Sequence, residues 1–225
     1  KVMVASSSEI YGKNNAVPLS EVSDRVLGSP AVARWAYSTS KAVDEILAYA
    51  YHRERGLPAI VVRLFNTVGP RQSPAYGMVV PRLVRQALSG GPLTVYGDGS
   101  QTRSFCHVAD AVDALLKLLG EPRSAGDCFN VGSSEEISIE DLAHQVIART
   151  GSASGIVHLP YEVAYESGFE DMARRVPDTA KVEALTGWRA RRSLADILDD
   201  VITEARAEVI EGPPGTTGEL ADLGR

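Results

Sequence analysis

Apolar residues recur along the chain in two alternating rhythms. Lys1-Val2-Met3-Val4-Ala5 opens as a short apolar strand. From Asp44 to His52 apolar residues fall at helical spacing (Ile46, Leu47, Ala50), and the pattern ends before Gly56. After Pro58, Ala59-Ile60-Val61-Val62-Arg63-Leu64-Phe65 is a near-continuous β-branched run, the pattern of a strand buried on both faces of a parallel sheet. Val79 to Leu88 predicts a helix with Pro81 in its first turn, where proline is tolerated. Leu93 to Tyr96 reads as a strand closed by Gly97-Asp98-Gly99, Val108 to Leu119 as a strongly apolar helix, and Cys128 to Val131 as a strand. Ser138, with Asp141 three residues on, opens a helix in a variant of the capping box, its apolar face being Leu142, Val146 and Ile147. Ile156 to Leu159 is a further strand, and Asp178 to Leu185 and Ser193 to Glu208 are the last helices. Glu211 to Arg225, rich in Gly, Pro and Thr, is expected to be a mobile tail. The alternation predicts an α/β layer architecture.

Composition narrows the class. With 44% hydrophobic and 23% charged residues over 225 positions, the chain is neither disordered nor fibrous. No apolar run is long enough to span a membrane, and the opening turns polar too soon for a signal peptide. A formal charge of −6 argues against a nucleic-acid surface, so an anionic ligand would need a local arginine cluster. Cys106 and Cys128 have neither zinc nor redox-motif spacing, which makes a reduced, cytoplasmic protein the expectation. The four histidines show no metal spacing, and His107 reads as a capping or core residue.

Three groups could carry chemistry. Tyr37 and Lys41 are four apart on a helix, hence on one face. An ammonium near a phenol favours the phenolate, so such a pair can serve as a general base. Ser6-Ser7-Ser8-Glu9-Ile10-Tyr11-Gly12 directly follows the opening strand, and residues beyond a strand's carboxyl end line the ligand crevice of open α/β sheets. Arg71, Arg82, Arg103 and Arg175 lie in loops, after strands or early in helices, and arginine forks match phosphate oxygens. Taken singly, each group also fits a surface pair, a capped polar turn or ordinary surface charge.

The order of motifs goes further. Ser6 to Gly12 is followed by Tyr37-Ser38-Thr39-Ser40-Lys41, by Arg63-Leu64-Phe65-Asn66-Thr67-Val68-Gly69-Pro70-Arg71, by Val95-Tyr96-Gly97-Asp98-Gly99-Ser100-Gln101-Thr102-Arg103-Ser104-Phe105, and by Arg175-Val176-Pro177-Asp178 with Gly187-Trp188 behind it. This series resembles the extended short-chain dehydrogenase/reductase family, in its nucleotide-sugar epimerase, dehydratase and decarboxylase branch, over residues 1 to 205. The resemblance implies that Tyr37 is the catalytic base with Lys41 as partner, that both and Ser6 touch an NAD cofactor, that Ser7 bonds the sugar C4 oxygen, and that Glu9 is an acidic catalytic residue. It implies substrate contacts from Asn66, Arg103 and Arg175, and a weaker one from Arg82. The implied substrate is a UDP-sugar or another nucleoside-diphosphate sugar, and the complete enzyme is implied to be a homodimer pairing the Tyr37 helix, with Ala42, Ile46, Leu47, Tyr49 and Ala50 as its apolar face.

The chain shows no glycine-rich dinucleotide fingerprint. By resemblance, roughly 100 residues forming the first half of a Rossmann sheet are expected to be missing from it. The expected fold is therefore α/β, the C-terminal part of a Rossmann-type doubly wound parallel sheet plus a small α/β substrate-binding subdomain. Residues 1–70 would be the Rossmann part, 71–210 the nucleotide-sugar region interleaved with the last Rossmann elements, and 211–225 the tail. The expected reaction passes through a 4-keto sugar. UDP-glucuronate decarboxylation leads, partly on Ser8-Glu9 and Arg34-Trp35, followed by 4-epimerisation and 4,6-dehydration. A non-catalytic nucleotide-sugar-binding fragment is the alternative of another kind.

Overall fold

The computed structural model describes residues 1–73, 78–160, 172 and 174–211. The expected tail lies, from residue 212 on, outside the described residues, while Glu211 closes the last helix.

The chain opens with β1 (Val2–Ser7), which runs into a 3-10 turn at Ser8–Tyr11. Gly12 ends that turn at φ +58°, where an added Cβ would lie 2.1 Å from the Val26 carbonyl oxygen, so only glycine fits. Helix α1 (Arg34–Arg55) follows, then β2 (Ala59–Leu64). β1, β2 and β7 (Cys128–Val131) form a three-stranded parallel sheet in that order, with Ser6 opposite Arg63 and Leu64 opposite Val131.

β2 is central and buried on both faces, as its unbroken apolar run predicts. Ile60 and Val62 point toward α3 (Val108–Gly120), Trp188 and Val182; Ala59 and Val61 point toward Ala48 of α1. β1 lies at one border of the sheet, with β2 as its hydrogen-bonded neighbour.

A second core joins three helices and a strand. Val80, Leu83, Val84 and Ala87 of α2 (Val79–Leu88) follow helical spacing, and they meet Leu142 and Val146 of α4 (Ile139–Thr150) and Ile197, Leu198 and Val201 of α6 (Leu194–Glu211). Leu93 and Val95 of β4 (Leu93–Tyr96) complete it, and β4 pairs in parallel with β9 (Ile156–Leu159). Short pieces stitch the two cores: β3 (Thr67–Val68) with β6 (Cys106–His107), and β5 (Thr102–Ser104) with β8 (Glu136–Ser138). Helix α5 (Ala180–Thr186) packs beside β7.

Two caps follow the expectation. His107 caps α3, its Nδ1 accepting from the Ala109 amide at 3.0 Å while Nε2 lies 3.1 Å from the Asp200 carboxylate. Ser138 Oγ accepts from the Asp141 amide at 3.0 Å and donates to the Asp141 carboxylate at 2.7 Å. Replacing Ser138 by alanine is expected to cost about 1 kcal/mol, read as a lowered urea midpoint; an unchanged midpoint would show that the cap contributes nothing.

Helix α1 starts at Arg34 and so carries the Tyr37–Lys41 pair as expected; the apolar spacing marks it only from Asp44 because its buried stripe, Trp35, Ser38, Ala42, Glu45 and Ala48, mixes one aromatic with polar and small residues and has no clean apolar period. The exposed apolar face is shifted. Ala42 is buried against the body of the protein, whereas Val43, Ile46, Leu47 and Tyr51 point outward.

Candidate active site

The carboxyl end of β1 brings three of the candidate residues together: Ser7, Glu9 and Arg175. Ser7 caps the 3-10 turn, its Oγ accepting from the Glu9 amide at 3.2 Å. That turn carries Glu9 toward the start of α1 and toward a segment that follows β9. There the Glu9 carboxylate receives Arg175 Nη1 at 2.7 Å and lies 3.5 Å from Arg34 Nη2. Arg175 is buried and also donates to Ser8 Oγ at 3.2 Å. Glu9 and Arg175, expected to act separately on sugar and nucleotide, are thus partners.

Tyr37 and Lys41 share a face of α1 as their spacing predicts. Tyr37 is half exposed, and Lys41 Nζ lies 6.0 Å from the centre of its ring. The same ammonium is 3.2 Å from Asp44 Oδ2.

The remaining arginines fall farther along. Arg103 is buried on β5, and its Nη1 donates to the Thr102 and Met172 carbonyls, both at 2.8 Å. The Ser104 hydroxyl lies 3.3 Å from the Arg175 carbonyl, tying β5 to the segment that carries Arg175. Arg82 stacks its guanidinium 4.3 Å from the Tyr96 ring centre, with Nε and Nη1 buried and, among the described residues, without hydrogen-bond partners. Asn66, at φ +31°, ends β2 and donates its side-chain amide to the Ser104 carbonyl at 2.8 Å. Arg71 is exposed, its backbone amide bound to the Glu204 carboxylate.

Ser6 does not join the residues around Glu9. It faces α1 and donates to Glu45 Oε1 at 2.5 Å, inside a buried network that the sequence reading missed. Arg63 forks onto the same carboxylate, Nε to Oε1 at 2.9 Å and Nη2 to Oε2 at 2.7 Å. Its Nη1 reaches the Tyr11 hydroxyl at 2.9 Å and the Glu21 carbonyl at 3.0 Å. Tyr11 in turn donates to Asn130 Oδ1 at 2.7 Å. Burial pushes the Tyr11 phenol up to about 12, against the pull of Arg63. Burial also works to lower Arg63, but hydrogen bonds to Glu45 outweigh it and hold the guanidinium above its ordinary range. One signal was available: a charge inside a run such as Ala59 to Phe65 needs a buried partner.

A surface pair flanks this region. Glu136, bound bidentately by Arg174 and by the Thr102 hydroxyl, is lowered from 4.5 to about 2, chiefly by the Arg174 hydrogen bonds. A depressed carboxylate stabilises the fold fully above its unfolded value and loses that contribution as pH falls through the folded one. Glu136→Gln is therefore expected to destabilise the protein at neutral pH, with the difference closing between pH 4.5 and about 2. Thermal midpoints across that range check this, and a pH-independent difference would remove Glu136 from the acid response.

The profile of the NAD dependent epimerase/dehydratase family matches residues 1–132. The chain is 43% identical over 203 residues to a UDP-N-acetyl-alpha-D-glucosaminuronate decarboxylase of Bacillus cytotoxicus, covering 90% of this chain and 62% of that protein. It is 36% identical over 211 residues to UDP-glucuronic acid decarboxylase 1 of Xenopus tropicalis, covering 93% of this chain and 48% of that one. A solved UDP-glucuronic acid 4-epimerase from Bacillus cereus, in complex with UDP-glucuronic acid and NAD, superposes with a TM-score of 0.79 at 27% identity, over 91% of this chain and 61% of that one. The chain thus spans between 48% and 62% of the length of these relatives. The likeness to the solved structure agrees with the expected Rossmann-type α/β fold.

Proposed function

Because the chain belongs to the NAD dependent epimerase/dehydratase family, we propose that its protein decarboxylates a nucleoside-diphosphate hexuronic acid, UDP-linked, through a 4-keto sugar. The observation that carries this reading is the buried Arg175 at the Ser7-Ser8-Glu9 turn. Its guanidinium is paired with Glu9 and bonded to Ser8, so the turn holds a fixed acidic residue and its cation beside the residues expected to handle the sugar. Relatives named as decarboxylases of UDP-glucuronic acid and its N-acetylated counterpart support the same substrate class.

The residues present fit an NAD requirement, since Tyr37 and Lys41 stand together near the carboxyl end of a parallel strand, with Tyr37 open to solvent. NAD supplies reversible oxidation at the sugar's C4. Tyr37 takes the proton of the C4 hydroxyl as the carbonyl forms, with Ser7 Oγ bonding that oxygen and Lys41 favouring the phenolate. The C6 carboxylate is then β to a ketone. The C5–C6 bond breaks, carbon dioxide leaves, and its electron pair enters the C4 carbonyl as an enolate. A proton from solvent is added at C5, and Tyr37 returns its proton to the C4 oxygen as C4 is reduced again, so the sequence is redox-neutral overall. Asn66, Arg103 and, at the far end, Arg82 with Tyr96 hold the nucleotide. In this reading residues 1–70 form the dinucleotide-binding part with the Tyr37–Lys41 helix, and 71–210 the nucleotide-sugar region interleaved with the last Rossmann elements.

The protein acts as a homodimer in the cytoplasm. The outward Val43, Ile46, Leu47 and Tyr51 of α1 support the first. The free, buried Cys106 and Cys128 support the second, as does the lack of any helix, among the described residues, long and apolar enough to cross a membrane.

The test is a product assay on the full-length protein with UDP-glucuronate and UDP-N-acetylglucosaminuronate. The expected result is one carbon dioxide per pentose product. Return of an inverted hexuronate without carbon dioxide would replace this reading by 4-epimerisation, which the likeness to the Bacillus cereus enzyme favours as second choice.

A further inference from the structure

Helix α1 meets the sheet through a shallow surface. Ser38, Ala42 and Ala48 are small buried residues of the helix; Ala42 packs with Ile10, Tyr11 and Phe65, and Ala48 with Val4, Ala59 and Val61. Small side chains interlock little, so apolar contact alone resists sliding of the helix weakly. A buried, charged and directional bridge crosses that surface. The Glu45 carboxylate, 3% exposed, accepts both arms of the Arg63 fork and the Ser6 hydroxyl. Ser6 and Arg63 are cross-strand neighbours on β1 and β2, so a single carboxylate ties the helix to two strands at once. Ser6 directly precedes Ser7, and Glu45 lies eight residues, about 12 Å along the helix, beyond Tyr37.

We infer that Glu45 and Arg63, with Ser6, are positioning residues that set the register of α1 against β1, and thereby the separation of Tyr37 from Ser7. They touch no substrate; they act through the two side chains that do. This rests on the reading that Tyr37 and Ser7 address one sugar. A misplacement of about 1 Å between reacting groups costs on the order of 100-fold in rate, whereas binding of the nucleotide, held by other elements, is left intact.

The test uses Glu45→Met/Arg63→Met in the full-length protein, since replacing both members of a buried pair by apolar residues commonly preserves stability. The expected result is a turnover lowered by about 100-fold with KM unchanged within about twofold, and a crystal structure in which the Tyr37 Oη to Ser7 Oγ separation has changed by about 1 Å. Full turnover in the double variant, or an unchanged separation, overturns the inference. Arg63→Lys guards against a double variant that fails to fold. It keeps the charge but loses the fork, and it is expected to lower kcat while leaving KM near wild type and the protein folded; an unchanged kcat overturns the inference equally. If the wild-type protein turns over no nucleotide sugar, the functional reading fails, and the crystallographic separation in Arg63→Lys or the double variant still decides whether the bridge sets the register.

Discussion

Replacing Tyr37 by phenylalanine is expected to lower turnover of the full-length protein by between about 10² and 10⁴-fold, the range a positioned general base contributes. The substitution removes one oxygen from a half-exposed side chain, so the fold has no reason to respond. Lys41 keeps its contact with Asp44, and Ser7 keeps its cap on the 3-10 turn. Nucleotide-sugar affinity, measured by calorimetry, should stay within about twofold, because only an interaction made in the transition state is lost. A phenylalanine variant with wild-type turnover would show that another group takes the C4 proton, and Ser7 would be the next to examine.

The largest loss of stability is expected from Arg63→Met alone. It strands the Glu45 carboxylate, 3% exposed, with the Ser6 hydroxyl as its remaining donor from the bridge, and removes the donor that Tyr11 accepts. Breaking a buried pair on one side costs about 3–5 kcal/mol, a large share of the roughly 5–15 kcal/mol that holds an ordinary domain folded. Urea midpoints should fall steeply for the single variant and recover in Glu45→Met/Arg63→Met. A loss below about 1 kcal/mol, the level of an exposed pair, would mean that water reaches the carboxylate.

The same bridge shows where reading the chain succeeds and where it stops. β2, β4, β7 and β9 and helix α2 are legible because each carries a clean period with turn residues at its ends. The first ten residues of α1 show no such period, and only the Tyr37–Lys41 spacing marks a helix there. Ala33 offers no side-chain cap, and a stripe of Trp35, Ser38, Ala42 and Glu45 has no hydrophobic rhythm to detect. β3, β5, β6 and β8 hold two or three residues each, too few to show alternation.

The candidate site divides in the same way. Tyr37 with Lys41, and Ser7 with Glu9, are local in sequence, so spacing finds them. The pairing of Glu9 with Arg175 joins residues near opposite ends of the described chain, and that of Glu45 with Arg63 depends on how a helix lies across two strands. Such contacts exist only once the sheet has set its register, and no local pattern encodes them.

The position of β1 bears on handling. Among the described residues its outer side has no strand beside it, leaving a row of backbone donors and acceptors free to recruit another chain. Lysine commonly guards such a border, but the Lys1 ammonium is drawn away to the Leu119 and Glu121 carbonyls behind α3. Val2, substantially exposed, adds an apolar foothold. Produced as these 225 residues, the polypeptide should therefore aggregate edge to edge as its concentration rises, and dilute, cold preparation or a charged replacement at Val2 is the remedy to try.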